Sequence, residues 1–172
     1  MISISFLRCA VTVIFLGTYF APVQGQAQEA KKILHMPPNK IVDFAVKTAG
    51  DKRIIAIYTS WCPACRKIMP KVMDIENIKP GSVIAISEDE DHVQFSRYIE
   101  KYPKIPFMIF LSKPKGNITL PAMFEKKLGA KPWTGYPHFI LLDGENKIVS
   151  EGNFEADALA DFILGTGEMF TK

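Results

Sequence analysis

An apolar, β-branched run, Ile54-Ile55-Ala56-Ile57-Tyr58-Thr59, leads directly into Trp61-Cys62-Pro63-Ala64-Cys65. This junction constrains the fold more than any other stretch. The run reads as a buried strand. Proline is tolerated in the first turn of a helix, so Pro63 marks a helix start at the cysteines. Two cysteines spaced i, i+3 share one helix face and lie close enough to bond. The first of them meets the free N–H groups and the dipole of the helix N-terminus, which favour a thiolate. A strand that ends in Cys-x-x-Cys and turns into a helix points to thiol–disulfide exchange. In that chemistry Cys62 is the expected nucleophile and Cys65, one turn further in, the resolving thiol.

The remainder of the chain bounds the setting. Its 172 residues suit one domain, and 48% apolar and 23% charged residues are ordinary for a globular protein. A net charge of +3 offers little to nucleic acid, which wants a clustered basic face. Lys113, Lys115, Lys126, Lys127 and Lys131 do crowd one region, which reads as a solvated surface or, more sharply, as a surface for an acidic partner. At the N-terminus, Arg8 precedes an apolar stretch from about Cys9 to Val23, followed by small residues Gly25 and Ala27. This is the pattern of a secretory signal, with cleavage expected after Ala27 or, second, after Gly25. The expected organisation is a signal over 1–27 and one domain over 28–172, exported to the periplasm or its equivalent. Membrane attachment would follow only if the segment stayed uncleaved. Cys9 would leave with the signal. A bridge between Cys62 and Cys65 closes too short a loop to restrain an unfolded chain, so these cysteines are better explained by reactivity than by stapling.

Along the domain, residues 31–38 read as a linker or short first strand, and Ile41 to Val46 as a short helix ending at Gly50. Lys52–Thr59 is a strand. The helix from Cys62 to about Ile75 carries Pro70, expected to kink it. Ser82–Ser87 is a strand, Asp91 caps a helix running to about Tyr102, and Phe107–Leu111 is a strand or loop. Leu120–Leu128 is helical. Pro137–Leu142, the turn Asp143-Gly144-Glu145-Asn146 and Lys147–Ser150 form a hairpin, and Glu155–Leu164 is a last amphipathic helix. The order predicts an α/β fold, a central mixed sheet with helices on both faces.

These pieces resemble the thioredoxin superfamily. Trp61 before the first cysteine, Pro70 eight residues after it, and Tyr136-Pro137 at the family's cis-proline position carry the resemblance. Pro137 through Gly144, followed by Lys147-Ile148-Val149 and Gly152, is similar to the ending of exported TlpA/ResA/CcmG-type reductases. The long gap from Cys62 to Pro137 implies an insertion between the central strands, from about Glu88 to Thr134. The resemblance implies a substrate groove formed by Trp61, Pro63, Ala64, Tyr136 and Pro137, although Trp61 and Tyr136 serve equally as packing residues. It also implies protein thiol or disulfide substrates and a redox partner protein, with no cofactor beyond the Cys62–Cys65 disulfide. Oligomeric state is not legible.

One departure concerns the proton of the second cysteine. Thioredoxin carries a buried aspartate six residues before its first cysteine; here that position is Ala56. Glu88 or Asp89, at the end of the next strand, or water, would have to take its place; a solvated helix cap is the plainer reading of that acidic loop. A competing reading makes the chain a copper-handling relative using Cys62, Cys65 and His138. Its two-residue cysteine spacing argues against that, and His35 and His92 show no ligand spacing. A packed or exposed strand histidine is the plainer reading of His138, and no metal is expected.

Overall fold

A computed structural model describes residues 33–48, 50–114 and 116–165; the segment read as a secretory signal lies outside them. Among the described residues no helix is long and apolar enough to cross a membrane. The chain runs β1 (Ile33–Met36), α1 (Pro38–Lys47), β2 (Arg53–Tyr58), α2 (Pro63–Ile78), β3 (Val83–Ser87), α3 (His92–Glu100), β4 (Ile109–Ser112), α4 (Leu120–Leu128), β5 (His138–Leu142), β6 (Ile148–Gly152) and α5 (Ala156–Leu164).

The six strands form one sheet in the order β1-β4-β3-β2-β5-β6. β1, β4, β3 and β2 run parallel, and β5 and β6 are antiparallel to their neighbours. β2 is thus central, and every one of its six residues is buried. Its continuous apolar run is what a strand covered on both faces requires. Alternate side chains divide between two cores. Ile54, Ala56 and Tyr58 join the face packed by α2, α3 and α5; Ile55 and Ile57 join the face packed by α1 and α4. The expected mixed sheet with helices on both faces is present.

The insertion takes a definite place. The chain between β3 and β5 holds α3, β4 and α4, and β4 enters the sheet between β1 and β3, not beside β2. Residues 31–38, ambiguous by pattern, supply β1, paired with β4 from Ile33↔Ile109 to Met36↔Ser112. α2 extends to Ile78, past the expected end, and runs through Pro70. Pro70 is exposed and lacks only the one N–H that would have met Arg66. The hairpin turn forms where expected. Asp143 Oδ1 accepts bonds from the Glu145 and Lys147 amides, and Asn146 takes the left-handed conformation (φ 66°). Gly144 fits there because a Cβ would lie 2.4 Å from the Gly50 carbonyl oxygen.

Candidate active site

β2 ends at Tyr58, and the chain turns through Thr59 and Ser60 before α2 begins at Pro63. Cys62 is the N-cap of α2, its backbone extended (φ −72°, ψ 118°). Cys62 Sγ accepts a hydrogen bond from the Cys65 amide at 3.2 Å, which satisfies one of the free N–H groups of the first turn. Both cysteines are buried and in the thiol form, Cys65 completely so. Burial pushes the Cys65 thiol up to about 12. The hydrogen bond that the Cys65 thiol donates to Cys62 adds to this, and a backbone hydrogen bond at Thr59 opposes it.

The second wall is the loop before β5. The Tyr136–Pro137 peptide bond is cis. It brings the Tyr136 carbonyl oxygen to 3.4 Å from Cys62 Sγ, where the thiol donates to it. The exposed Trp61 indole meets the Tyr136 ring edge-on, with centroids 5.9 Å apart and planes at 90°. Pro63 and Ala64 are exposed beside Cys62, and Pro137 is buried. The structure therefore brings Trp61, Cys62, Pro63, Ala64, Tyr136 and Pro137 together around one sulfur. A pocket of about 390 Å³ continues past this loop, lined by Trp133, Tyr136, Pro137, His138 and Glu151 among others.

The two acids that stood beside water as candidate proton acceptors for Cys65 both accept hydrogen bonds from other groups. Asp89 is buried. Its carboxylate accepts from the Ser60 amide (3.0 and 2.8 Å), Ser60 Oγ (2.5 Å) and Ser87 Oγ (2.6 Å). It fastens the turn just ahead of the cysteines. Glu88 Oε2 accepts from Tyr136 Oη at 3.0 Å and Trp133 Nε1 at 3.3 Å. Burial pushes the Glu88 carboxyl up, and the bonds from Tyr136 and Trp133 oppose that. The groups that act on the Cys65 thiol are Cys62 and nearby backbone; neither acid is among them. Ala56, in the place of thioredoxin's aspartate, is fully buried in the core on the α2 face.

The copper set is not assembled either. Among the described residues no group of three or more His, Cys, Asp and Glu side chains is placed to hold a metal ion. His138 is stacked on Trp133, centroids 4.8 Å apart and planes within 13°. Burial lowers its pKa, opposed by the charge of Glu151, and Nε2 is buried with no hydrogen-bond partner among the described residues. Sequence reasoning missed Ser60 and Trp133. Ser60 carries no motif, and the one hint for Trp133 was an aromatic three residues before Tyr136.

A sheet of this order, with a cysteine pair at the N-terminus of the helix after its central strand and a cis-proline loop facing it, defines the thioredoxin-like class of oxidoreductases. The Redoxin family model matches residues 23–160, and the chain belongs to that family. It is similar to a probable nucleoredoxin 1 of Arabidopsis thaliana, 26% identical over 139 residues, 73% of this chain and 22% of that protein. It is also similar to the sporulation thiol-disulfide oxidoreductase A of Bacillus subtilis, 28% identical over 94 residues, 48% of this chain and 56% of that one. The chain thus matches between a fifth and just over half of the length of these curated relatives. Two solved structures share the fold. The thioredoxin domain of a thiol-disulfide oxidoreductase from Bacteroides vulgatus has a TM-score of 0.55 at 23% identity, covering 69% of this chain and 81% of that one. A thioredoxin family protein from Chlorobium tepidum has a TM-score of 0.57 at 16% identity, covering 70% and 83%.

Proposed function

We propose that the protein is an exported thiol–disulfide oxidoreductase acting on protein substrates, with Cys62 as nucleophile and Cys65 as resolving thiol. The observation that carries this reading is the placement of Cys62 Sγ, capping α2 and facing the Tyr136 carbonyl across the groove. In the reducing direction, the Cys62 thiolate attacks a substrate disulfide. One substrate sulfur leaves as a thiolate, and a mixed disulfide forms. Cys65 then attacks Cys62 Sγ, the second substrate thiolate leaves, and a Cys62–Cys65 disulfide remains. Two electrons pass from the dithiol to the substrate, and the reverse sequence oxidises a substrate dithiol.

The electrostatics order the two steps. While Cys62 is free, burial and the hydrogen bond to Cys62 hold the Cys65 proton in place. Once Cys62 is tied up in the mixed disulfide, its part in holding that proton is gone and the backbone hydrogen bond at Thr59 favours the thiolate, while burial goes on raising the Cys65 thiol. Water takes the proton that Cys65 gives up as it attacks. Export rests on Arg8, the apolar stretch from about Cys9 to Val23, and the small residues Gly25 and Ala27.

Replacing Cys62 with Ser is expected to abolish reduction of insulin disulfides by dithiothreitol-recycled protein. Retention of that activity would overturn the assignment. In cells, Cys65→Ser is expected to accumulate a mixed disulfide outside the cytosol, and the trapped partner identifies both substrate and electron-flow direction.

A further inference from the structure

The exit of β3 holds both walls of the groove. Asp89 fastens Ser60, on the cysteine side; Glu88, the residue before it, reaches the opposite wall. Its own amide is fixed to the end of β2, donating to the Tyr58 carbonyl at 3.0 Å. Both of its side-chain bonds converge on a single oxygen. Oε2 takes Tyr136 Oη and Trp133 Nε1, residues that flank the turn into the cis-proline. Among the described residues no cation pairs with this carboxylate. Its two side-chain donors are neutral, so no ion pair offsets the cost of its partial burial. What it does provide is a fixed point for Tyr136. The ring of Tyr136 meets Trp61, and its carbonyl meets Cys62 Sγ.

We infer that Glu88 is a positioning residue for the substrate-facing loop, holding Tyr136 so that a polypeptide can lie against the Tyr136–Pro137 backbone while Cys62 attacks. This rests on the exchange reaction proposed above. It assigns Glu88 to docking of the protein substrate and not to the proton of Cys65. Cys62 sits on the other wall as the cap of α2, and the Tyr136 group that it meets is a backbone carbonyl, which every side-chain substitution at Glu88 or Tyr136 leaves in the chain.

The test compares Glu88→Ala, Glu88→Gln and Tyr136→Phe. Each is measured for insulin reduction and, in a Cys65→Ser background, for alkylation of Cys62 by iodoacetamide, which needs no groove. Glu88→Ala is expected to raise KM for insulin about ten-fold with kcat within about two-fold. Tyr136→Phe, which removes only the donor hydroxyl, is expected to move KM the same way. Glu88→Gln can place its amide oxygen where Oε2 lies, and is expected to restore KM to within about two-fold of wild type. Alkylation of Cys62 is expected to stay unchanged throughout. An unchanged KM in both Glu88→Ala and Tyr136→Phe would overturn the inference. So would alkylation rates that fall in step with KM, or a Glu88→Gln variant as impaired as Glu88→Ala. Should Glu88→Ala fail to fold, Tyr136→Phe decides. A wild type that does not reduce insulin overturns the exchange reaction and this inference together, whereas failure of the inference alone leaves wild-type activity intact.

Discussion

Cys65 and Cys62 are three residues apart yet differ in kind. Cys62 caps α2 and contacts the Tyr136 carbonyl of the facing loop; Cys65 is wholly buried against the core that contains Ala56 and Tyr58. A thiol pushed up to about 12 stays protonated across the physiological range. In a Cys62→Ser variant, burial still acts on Cys65. Its alkylation rate is expected to be rising still at about pH 10, where an ordinary thiol of pKa about 8.5 has levelled off. A plateau at or below that pH would contradict the burial argument. The sign for stability follows. The folded state holds this proton more tightly than the unfolded chain does. Its contribution is therefore fully present below about pH 8.5 and declines as pH rises toward 12. Denaturant midpoints of the reduced protein are expected to fall over that range, and less so in Cys65→Ala. The identities of these residues and their helical setting were legible in the sequence because spacing and Pro63 are local signals. The absence of an acid on Cys65 was legible in part. Ala56 could be read directly, but the engagement of Glu88 and Asp89 by Tyr136 and Ser60 depends on residues 48 and 29 positions away.

At the level of elements, β3 does more than fill the sheet. Its five residues are buried, and the two acids that follow it tie the loops on either side of the groove. Asp89 makes the larger contribution to folding, since it satisfies the buried Ser60 amide and two hydroxyls with one carboxylate. Asp89→Ala leaves that amide without a partner. It is expected to cost about 2–4 kcal/mol in urea unfolding, given hydrogen bonds to a charged acceptor. A loss below about 0.5 kcal/mol, the ordinary range for a surface change, would mean the Asp89 contacts contribute little. By sequence alone Asp91 read as a helix cap, and Glu88 and Asp89 as candidate proton acceptors in an acidic loop. Only Asp91 behaved as its local pattern said, capping α3 through the Val93 and Gln94 amides at 2.9 and 3.0 Å. Burial separated the other residues, and burial is set by what the sheet places beside them.

Across the whole molecule, the site lies at one end of β2 and a buried guanidinium at the other. Arg53 is almost fully buried, and among the described residues no carboxylate pairs with it. Instead it donates to the Ala45 carbonyl near the end of α1, at 3.4 Å, and to Asn146 Oδ1, while Nε finds no partner. The C-terminal end of a helix carries partial negative charge that suits a cation. Asn146 ties the hairpin turn to the same place, donating to the Val46 carbonyl at 2.9 Å. Asn146→Ala removes an acceptor from a buried charge and is expected to cost about 2–3 kcal/mol. Arg53→Met, which removes the charge and keeps the stem, is expected to cost about 1 kcal/mol or less. The double variant is then less destabilised than the sum of the singles. Simple additivity in urea unfolding would show that the two do not cooperate.

The sequence by itself determined the Cys62–Cys65 pair with its strand-to-helix setting, the α/β class and the hairpin with its Asp143–Asn146 turn. All of these rest on periodicity and on side chains acting on their own backbone within a few residues. The tertiary structure decided where β1 and β4 enter the sheet. It also decided that Tyr136 and Trp61 meet edge-on, that Glu88 and Asp89 face opposite walls, and that His138 stacks on Trp133 instead of joining the cysteines. Those outcomes turn on which distant segments share a buried face. Sheet order and burial choose among partners that local spacing leaves equivalent.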